Sequence, residues 1–465
     1  MGYGNIVIVN VSQQIAPTPN TLQKTGAFIS QGATSTAPGT LTLLTEMSSL
    51  SSIINGSAAI SSISASGSGS SWTVTVATTT PHGLPISDIL LITITGASPS
   101  AYNGTYRCTI TGTSTFTYTL TANPGLATTT GVYTLEDVGE LNAMATTFFA
   151  QGNNQSVYVL ELGAGNPAEG VAYLTTWLIN NVNTIYSFLV PRTWGSEPTF
   201  QTLIQSYEAP NKKTYFWVTM TLSNYTSYSA LQKCVFGLIE APSVIPTAEF
   251  SLAAPFYHSL NYDPSATNKV APFAFSFVYG VTPYPTFGNS ALLATLKAAS
   301  VNIIGTGAEG GISNTIIFWG TTMDGNDFTY WYSVDWVQIN CELMIANAII
   351  NGSNNPVNPL YYNQQGINVL EGVIASVIAN GVTFGLVLGT PIQVALDGPD
   401  LDYQINLGTY QGRSVVNAIP FITYSNENPG DYKIGKYSGF SVIYVPARGF
   451  TQIVLNLVVS QFVSA

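Results

Sequence analysis

Charge is what this 465-residue chain lacks most: only 8% of its residues are Asp, Glu, Lys or Arg, against roughly 25% in ordinary globular proteins. Its polar residues are mostly Ser, Thr, Asn, Gln and Tyr, which hydrogen-bond without charge and cost far less to desolvate than Lys or Glu when a surface is covered. Such a surface suits a subunit buried among neighbours. Basic residues are scarcest, with 12 Lys and Arg against 23 Asp and Glu and a net charge of −11. No basic cluster occurs, which argues against nucleic acid as a partner.

Cysteine is rare too. Cys108, Cys234 and Cys341 lie far apart without a CxxC partner, which excludes a disulfide framework and leaves reduced, buried thiols as the expectation. The longest apolar runs fall well short of the ~20 residues that span a bilayer, so no integral membrane segment is expected. The opening MGYGNIVIVNVSQQ has no basic region followed by a long apolar stretch and a small-residue cleavage site, so secretion by that route is not expected. The Asn-x-Ser/Thr triplets at Asn55, Asn103, Asn224 and Asn351 therefore say little about glycosylation.

Groups able to move a proton, attack or hold a metal are few. His82 sits between Pro81 and Gly83, and His258 beside Tyr257 and Ser259; both are expected to be structural, and two isolated histidines make a poor zinc site. The glycine-rich run 305–311 follows a strand but lacks the Lys and Ser/Thr of a phosphate loop. Asp324, Asp327 and Asp335, and likewise Asp397, Asp400 and Asp402, do not match the twelve-residue calcium loop; surface turns with Asx caps are expected there. Trp319, Tyr330, Trp331, Tyr332 and Trp336 could stack on a carbohydrate, but core or subunit contact is the expected role. No catalytic, cofactor-binding or metal-ligating residue is assigned, and no enzyme activity or cofactor is expected.

What the chain does have is core. Hydrophobic residues make up 46% and aromatics 12%, mean hydropathy is +0.25, and at ~100 to 200 residues per domain the length predicts two to four domains. Residues 5–11 are strand-prone and cut off by Pro17 and Pro19. The Ser/Gly/Ala-rich stretch 48–69 reads as a linker, and 70–133 as an all-β insertion with strands over 72–77, 89–95, 106–110 and 115–120 and turns at Pro81-His82-Gly83 and Asn103-Gly104.

Helical periodicity starts at 134, where Thr134 and Asp137 make a variant capping box before Leu135, Val138, Leu141, Met144 and Phe148. Asn166-Pro167-Ala168-Glu169 then predicts a capped helix to about 179. Strands over 156–160, 185–190, 214–218 and 234–239 alternate with helices over 199–207 and 225–231, the pattern of a parallel sheet covered on both faces. The Pro- and aromatic-rich stretch 241–289 yields no clear secondary structure.

Farther on, 292–299 reads as helix, and 301–304 and 316–319 as strands. Residues 335–350 form an amphipathic helix burying Trp336, Ile339, Leu343 and Ile350. A second helix over 365–379 buries Ile367, Leu370, Ile374 and Ile378 and stops at Gly381. Strands are expected at 393–396, 403–407, 419–424, 440–445 and 451–462.

The fold class expected is α/β and α+β multidomain: a central, mostly parallel sheet with helices, a carboxy-terminal α+β domain, a small all-β insertion and extended terminal strands. The expected division is an arm at 1–20, the first part of the core with its linker at 21–69, the insertion at 70–133, an α/β middle domain at 134–320 and an α+β assembly domain at 321–465. A terminal strand can add to a sheet edge of another subunit and satisfy its amides and carbonyls along its length; pairing within the same chain is the alternative.

The opening NIVIVNVSQQ, the segment FFAQGNNQSVYVLEL at 148–162, the run VPRTW at 190–194, the helix from Asp335 and the closing FTQIVLNLVVSQF resemble a tail sheath protein of contractile-tailed bacteriophages, in a divergent sheath-like family. The insertion, with Pro81-His82-Gly83-Leu84 and Tyr102-Asn103-Gly104-Thr105, resembles a small β module found as a decoration in virion proteins. The resemblance implies a virion tail subunit assembled in the host cytoplasm, stacked helically with its own copies around a tail tube protein and meeting baseplate and tail terminator proteins. It implies contraction that drives the tube through the host envelope without a nucleotide. It also implies that Ile6, Val7, Ile8 and Val9 form a donated arm and that Val454, Leu455, Leu457 and Val458 make a carboxy-terminal sheet contact. Scarce charge departs from commoner sheath proteins, so neutral hydrogen bonds and aromatic contacts would replace interfacial ion pairs. A tube, baseplate or receptor-binding component is the alternative of the same structural class, and a carbohydrate hydrolase using paired carboxylates the alternative from another.

Overall fold

The computed structural model describes residues 21–209, 211–228, 232–285, 289–307 and 314–451. The chain divides into two compact units, one built from Leu22–Tyr262 and Pro272–Phe328, the other from Asp263–Ala271 and Thr329–Gly449.

The first unit opens with β1 (Gly26–Ser30), β2 (Leu41–Leu44) and a short α1 (Met47–Leu50). Next come β3 (Ala58–Ser68), β4 (Ser71–Thr78), β5 (Ile89–Thr95), β6 (Gly104–Gly112), β7 (Thr115–Leu120) and β8 (Val132–Leu135). The chain continues through α2 (Glu136–Phe149), β9 (Val157–Glu161), α3 (Pro167–Asn180), β10 (Ser187–Leu189), α4 (Pro198–Gln205), β11 (Tyr215–Met220) and β12 (Val235–Ile239). It ends in α5 (Ala253–Leu260), α6 (Ser290–Ala298) and the antiparallel pair β13 (Ile303–Thr306) and β14 (Thr315–Phe318).

The central sheet has the order β12-β11-β10-β1-β9-β2. All neighbours are parallel except β2, which joins β9 antiparallel. Numbered along the chain, the five parallel strands stand 2-1-3-4-5, the order of an open doubly wound sheet whose direction of growth reverses between β1 and β10. The parallel strands are buried on both faces, which explains their unbroken apolar runs: every residue of β1, β10, β11 and β12 is buried.

Alternate side chains on each strand serve opposite faces. Ala27, Ile29, Phe188, Phe216 and Val218 join a core with Leu174, Trp177, Phe200 and Leu203 of α3 and α4. Phe28 faces the other way, with ring centroids 5.4 Å from Phe148 of α2 and 6.0 Å from Phe256 of α5. Trp217 extends that second core, stacked 4.2 Å from Phe236 and edge-on to Phe256 at 5.5 Å. Aromatic pairs of this geometry contribute about 0.5–1.5 kcal/mol each beyond their buried area.

Strands β3 to β8 close into a barrel in the order β3-β4-β7-β6-β5-β8, packed around Val74, Val76, Ile92, Ile110 and Phe116. The barrel enters and leaves the core at one place, since Ala58 at the start of β3 is paired with Tyr133 of β8. Two expectations change here. Residues 58–68 of the stretch read as linker are strand β3, whose bulge between Ile60 and Ser62 puts the inward Ile60 and Ile63 three apart and hides the alternation. Thr134 does not cap α2: it lies in β8, paired with Thr93, and the N-cap position falls to Leu135 without a side-chain bond. Closing the barrel claims the backbone that a capping box would need.

The second unit contains the long helix α7 (Phe328–Ser353), α8 (Gln364–Thr383), β15 (Val387–Leu388), β16 (Thr390–Val394), α9 (Gly398–Asn406), β17 (Arg413–Ala418), α10 (Phe421–Glu427), α11 (Pro429–Lys433), β18 (Phe440–Ile443) and β19 (Val445–Pro446). The amphipathic pattern of α8 is observed, with Ile367, Ile374 and Ile378 buried and Leu370 half-buried. Gly381 does not stop this helix. It lies inside it, where a Cβ would come 2.8 Å from Val387 Cγ2, and Gly385 at φ +77° takes the left-handed position just beyond the helix end. In α7, Ile350 is 59% exposed rather than buried.

Of residues 403–407, expected as a strand, 403–406 belong to α9 and Leu407 is its C-cap. Asp397 caps that helix by accepting from the Asp400 N–H at 2.9 Å, and Pro399 stands in its first turn. Residues 421–424 are likewise helical, in α10 after Pro420. Residues 225–227 form one 3-10 turn, with the rest of that expected helix mostly outside the described residues.

Among the described residues one helix, α8, is long and apolar enough to cross a membrane. It carries Glu371, only 8% exposed, and packs against β16 and β17.

Candidate assembly interface

The second unit holds a three-stranded sheet in the order β16-β17-β18, parallel between the first two and antiparallel between the last two. Central β17 is buried from Ser414 to Ala418. The Asn417 side chain bridges the Leu396 backbone, accepting from its N–H and donating to its carbonyl, each at 2.9 Å. Among the described residues neither β16 nor β18 has a strand on its outer side. Each therefore presents a row of backbone donors and acceptors, the feature that lets a further strand add. Ile443, Val445 and Leu388 near the strand ends are exposed apolar side chains, Leu388 and Val445 being partners in the antiparallel pair β15-β19.

A cluster of aromatic residues adjoins the β18 side. Tyr437 lies 4.7 Å from Tyr424 and 4.8 Å from Phe440, and Tyr362 lies 5.6 Å from Phe421. The Tyr437 hydroxyl donates to the Ile419 carbonyl at 2.6 Å, and burial beside Tyr362 and Glu371 pushes its pKa up. Tyr424 donates to Asp431 at 2.8 Å, which holds that carboxylate below its ordinary range.

Between α7 and α8 lies a cavity of about 750 Å³ whose lining includes Asn347, Asn351, Asn355 and Asn363 over Met344 and Val369. Neutral amides over an apolar floor are the hydrogen-bonding surface that the low-charge composition implies. The predicted contact residues Ile6, Val7, Ile8, Val9, Val454, Leu455, Leu457 and Val458 lie outside the described residues, as does the final strand expected at 451–462 apart from Thr451.

The groups with chemical potential are dispersed into structure. His82 Nδ1 accepts from the Leu84 N–H at 3.1 Å in the barrel turn, and His258 lies on α5; burial lowers both pKa values. Asp324 makes the expected Asx turn, accepting from Thr322 Oγ1, Asn326 N and Asn326 Nδ2 at 2.6, 3.0 and 2.8 Å. Asp327 and Asp335, however, are buried rather than at the surface, Asp335 within α7. Among the described residues no group of three His, Cys, Asp or Glu is placed to hold a metal. Trp319 and Tyr332 are buried, Trp336 packs 5.6 Å from Phe384, and Arg448 covers Tyr330 at 4.4 Å. The cysteines are unpaired, and burial pushes Cys108 up to about 12 and Cys341 up to about 11.

The first unit has its own polar centre, which sequence reasoning missed. A cavity of about 520 Å³ at the carboxyl ends of β1, β9 and β10 is lined by Gln31, Asn166, Arg192, Glu136 and Asp137, with Arg107 of the barrel. Arg192 Nε and Nη2 donate to Glu240 at 2.6 and 2.8 Å, and Nη1 to Glu140 at 3.1 Å. Burial opposes the Arg192 charge, but the hydrogen bonds and charges of Glu240 and Glu140 outweigh it and raise its pKa. The signal available in the sequence was the VPRTW run itself, whose lone arginine follows a mostly apolar strand.

No family model matches the chain, and no curated protein does. Among solved structures, it is similar to a chain in the "Cryo-EM structure of the anti-feeding prophage (AFP) baseplate in contracted state", at 12% identity and a TM-score of 0.49, over 99% of this chain and 100% of that chain.

Proposed function

We propose that the chain is a structural subunit of a contractile phage-type tail, built into a multi-protein assembly. Its finer role in this proposal is that of the sheath, stacked helically around a tail tube and shortening to drive the tube through a host envelope. The single observation that carries the reading is the β16-β17-β18 sheet, whose two edges are open among the described residues, in a chain whose two ends are strand-prone. Residues 5–11 and 451–462 of neighbouring copies would complete that sheet, through Ile6, Val7, Ile8 and Val9 at one end and Val454, Leu455, Leu457 and Val458 at the other. The resemblance of the NIVIVNVSQQ, VPRTW and FTQIVLNLVVSQF segments to sheath proteins supports the same role. So does the scarcity of charge, because neutral polar groups are cheaper to bury in repeated interfaces. Heterologous contacts of this kind propagate as helices unless the rotation closes a ring.

Electron micrographs of the purified full chain test the finer role. Wide hollow cylinders are expected; narrow tubes or compact trimers would instead assign it to another virion component. The companion experiment deletes residues 1–14. Loss of long polymers with an intact monomer is expected, and unchanged polymers would overturn the strand-addition reading.

A further inference from the structure

The loop after β1 is built as a seat for an anion. The backbone N–H groups of Gly32 and Gly163 both donate to Glu161 Oε1, each at 2.7 Å. The other oxygen, Oε2, accepts from Ser30 Oγ and Thr34 Oγ1 at 2.7 Å each and from the Thr34 N–H at 3.1 Å. These donors are all neutral, and Glu161 is only 1% exposed. A buried carboxylate is tolerated when hydrogen bonds satisfy it this fully.

The glycines make the seat possible. Gly32 and Gly163 have φ of +80° and +87°, and a Cβ on Gly32 would stand 2.6 Å from Ala164 Cβ. Left-handed backbone at these points turns the N–H groups of Gly32, Thr34 and Gly163 inward, while the Ala33 N–H donates to Ser30 Oγ at 3.2 Å, a two-segment counterpart of an anion-binding nest. The nest lies at the carboxyl ends of adjacent β1 and β9, beside the point where strand order reverses, which is where open doubly wound sheets seat ligands.

We propose that this nest is a carboxylate-binding site occupied by the chain's own Glu161. The side chain fills the anion position of the sheet's ligand crevice and locks the loop in place of an external ligand. The lock extends to the barrel. Asn55, three residues before β3, donates through Nδ2 to the carbonyls of Gly32 and Thr34 at 2.8 and 2.9 Å, and its N–H donates to Ala33 at 2.8 Å. Glu161 thus fixes the loop on which the barrel's entry strand is anchored. The inference is independent of any assembly role.

Replacing the side chain tests it, because Glu161→Ala removes what acetate could resupply. Thermal melts of the full chain would compare wild type, E161A and E161Q in sodium acetate and in sodium chloride of equal ionic strength. E161A is expected to melt several degrees below wild type in chloride and to recover saturably with acetate, while wild type does not respond. E161Q, which keeps the shape but sets an amide N–H₂ against donors, is expected to melt below wild type without an acetate response. Equal melting of E161A in the two salts would overturn the proposal. Should E161A fail to fold, E161Q decides: melting as high as wild type would show that the seat does not require an anion, whereas a lowered melt sustains it.

Discussion

Arg192 and Glu240 form a two-point pair, Nε to Oε2 at 2.6 Å and Nη2 to Oε1 at 2.8 Å. In a chain with so few charges, this partly buried pair organises the carboxyl edge of the sheet: Arg192 also donates to the Glu249 carbonyl at 2.6 Å and lies 4.3 Å from the centre of the Phe250 ring. Removing one partner leaves a buried charge uncompensated, so Arg192→Ala is expected to cost about 3–5 kcal/mol in denaturant unfolding. Arg192→Lys keeps the charge but loses the planar fork, and should fall between the two. A wild-type unfolding midpoint for R192A would show that the pair is not organising this edge.

Glu136 and Asp137 stand in the first turn of α2, with Glu140 close by in the next. Burial raises the pKa of each; Arg192 works against the rise at Glu136 and Glu140, while Asp137 is raised further by Glu140, Glu136 and Glu161. The helix dipole favours acids in this turn, but burial and mutual repulsion prevail. Acids with raised pKa bind protons more tightly in the folded state, so stability falls as pH rises from the ordinary carboxylate range through the raised values. Asp137→Asn should therefore stabilise the protein at pH 7 to 8, with the gain vanishing below a pH of about 4. Urea melts across pH check this; an equal gain at all pH values would contradict it.

Two glycines near the end of α8 do different work. Alanine at 381 gains about 1 kcal/mol of helix propensity but overpacks against Val387 at a cost of about 1–3 kcal/mol, so Gly381→Ala should destabilise. Adding Val387→Ala should recover part of that loss, since the two residues touch. Gly385→Ala should cost about 1–2 kcal/mol by backbone strain, with a tight 3.3 Å approach to Lys269 Cβ besides, and Val387→Ala should not rescue it.

Because Ala58 pairs with Tyr133, the barrel's two ends lie about 5 Å apart. Replacing residues 58–133 with a short Gly-Ser linker should leave the central sheet folded, with circular dichroism and tryptophan fluorescence retaining core signals. The penalty includes the Asn166–Asp88 hydrogen bond of 2.9 Å between core and barrel. Failure of the sheet to fold would show that the barrel is integral to it.

The sheet and its helices were legible where one local signal dominated. Asn166 caps α3 as expected, with Glu169 in the first turn also returning the bond of a capping box, and the apolar runs of β9 to β12 are the buried parallel strands expected. Central β1 went unread because only Ala27, Phe28 and Ile29 lie between Gly26 and Ser30, too short an apolar run to stand out. α9 went unread because its apolar residues suggested a strand, while the decisive signal was Asp397 capping Asp400 with Pro399 between them. The Glu161 nest was illegible for a different reason: its donors come from two segments some 130 residues apart in sequence, and only the parallel pairing of β1 with β9 brings them together.

The assembly proposal is tested most directly by tracing residues 5–11 and 451–462 in an electron cryomicroscopy map of the assembled protein. At least one of these segments, from a neighbouring copy, is expected to lie hydrogen-bonded along the outer edge of β16 or β18. A map in which both segments pair only within their own copy, leaving those edges bare, would contradict it.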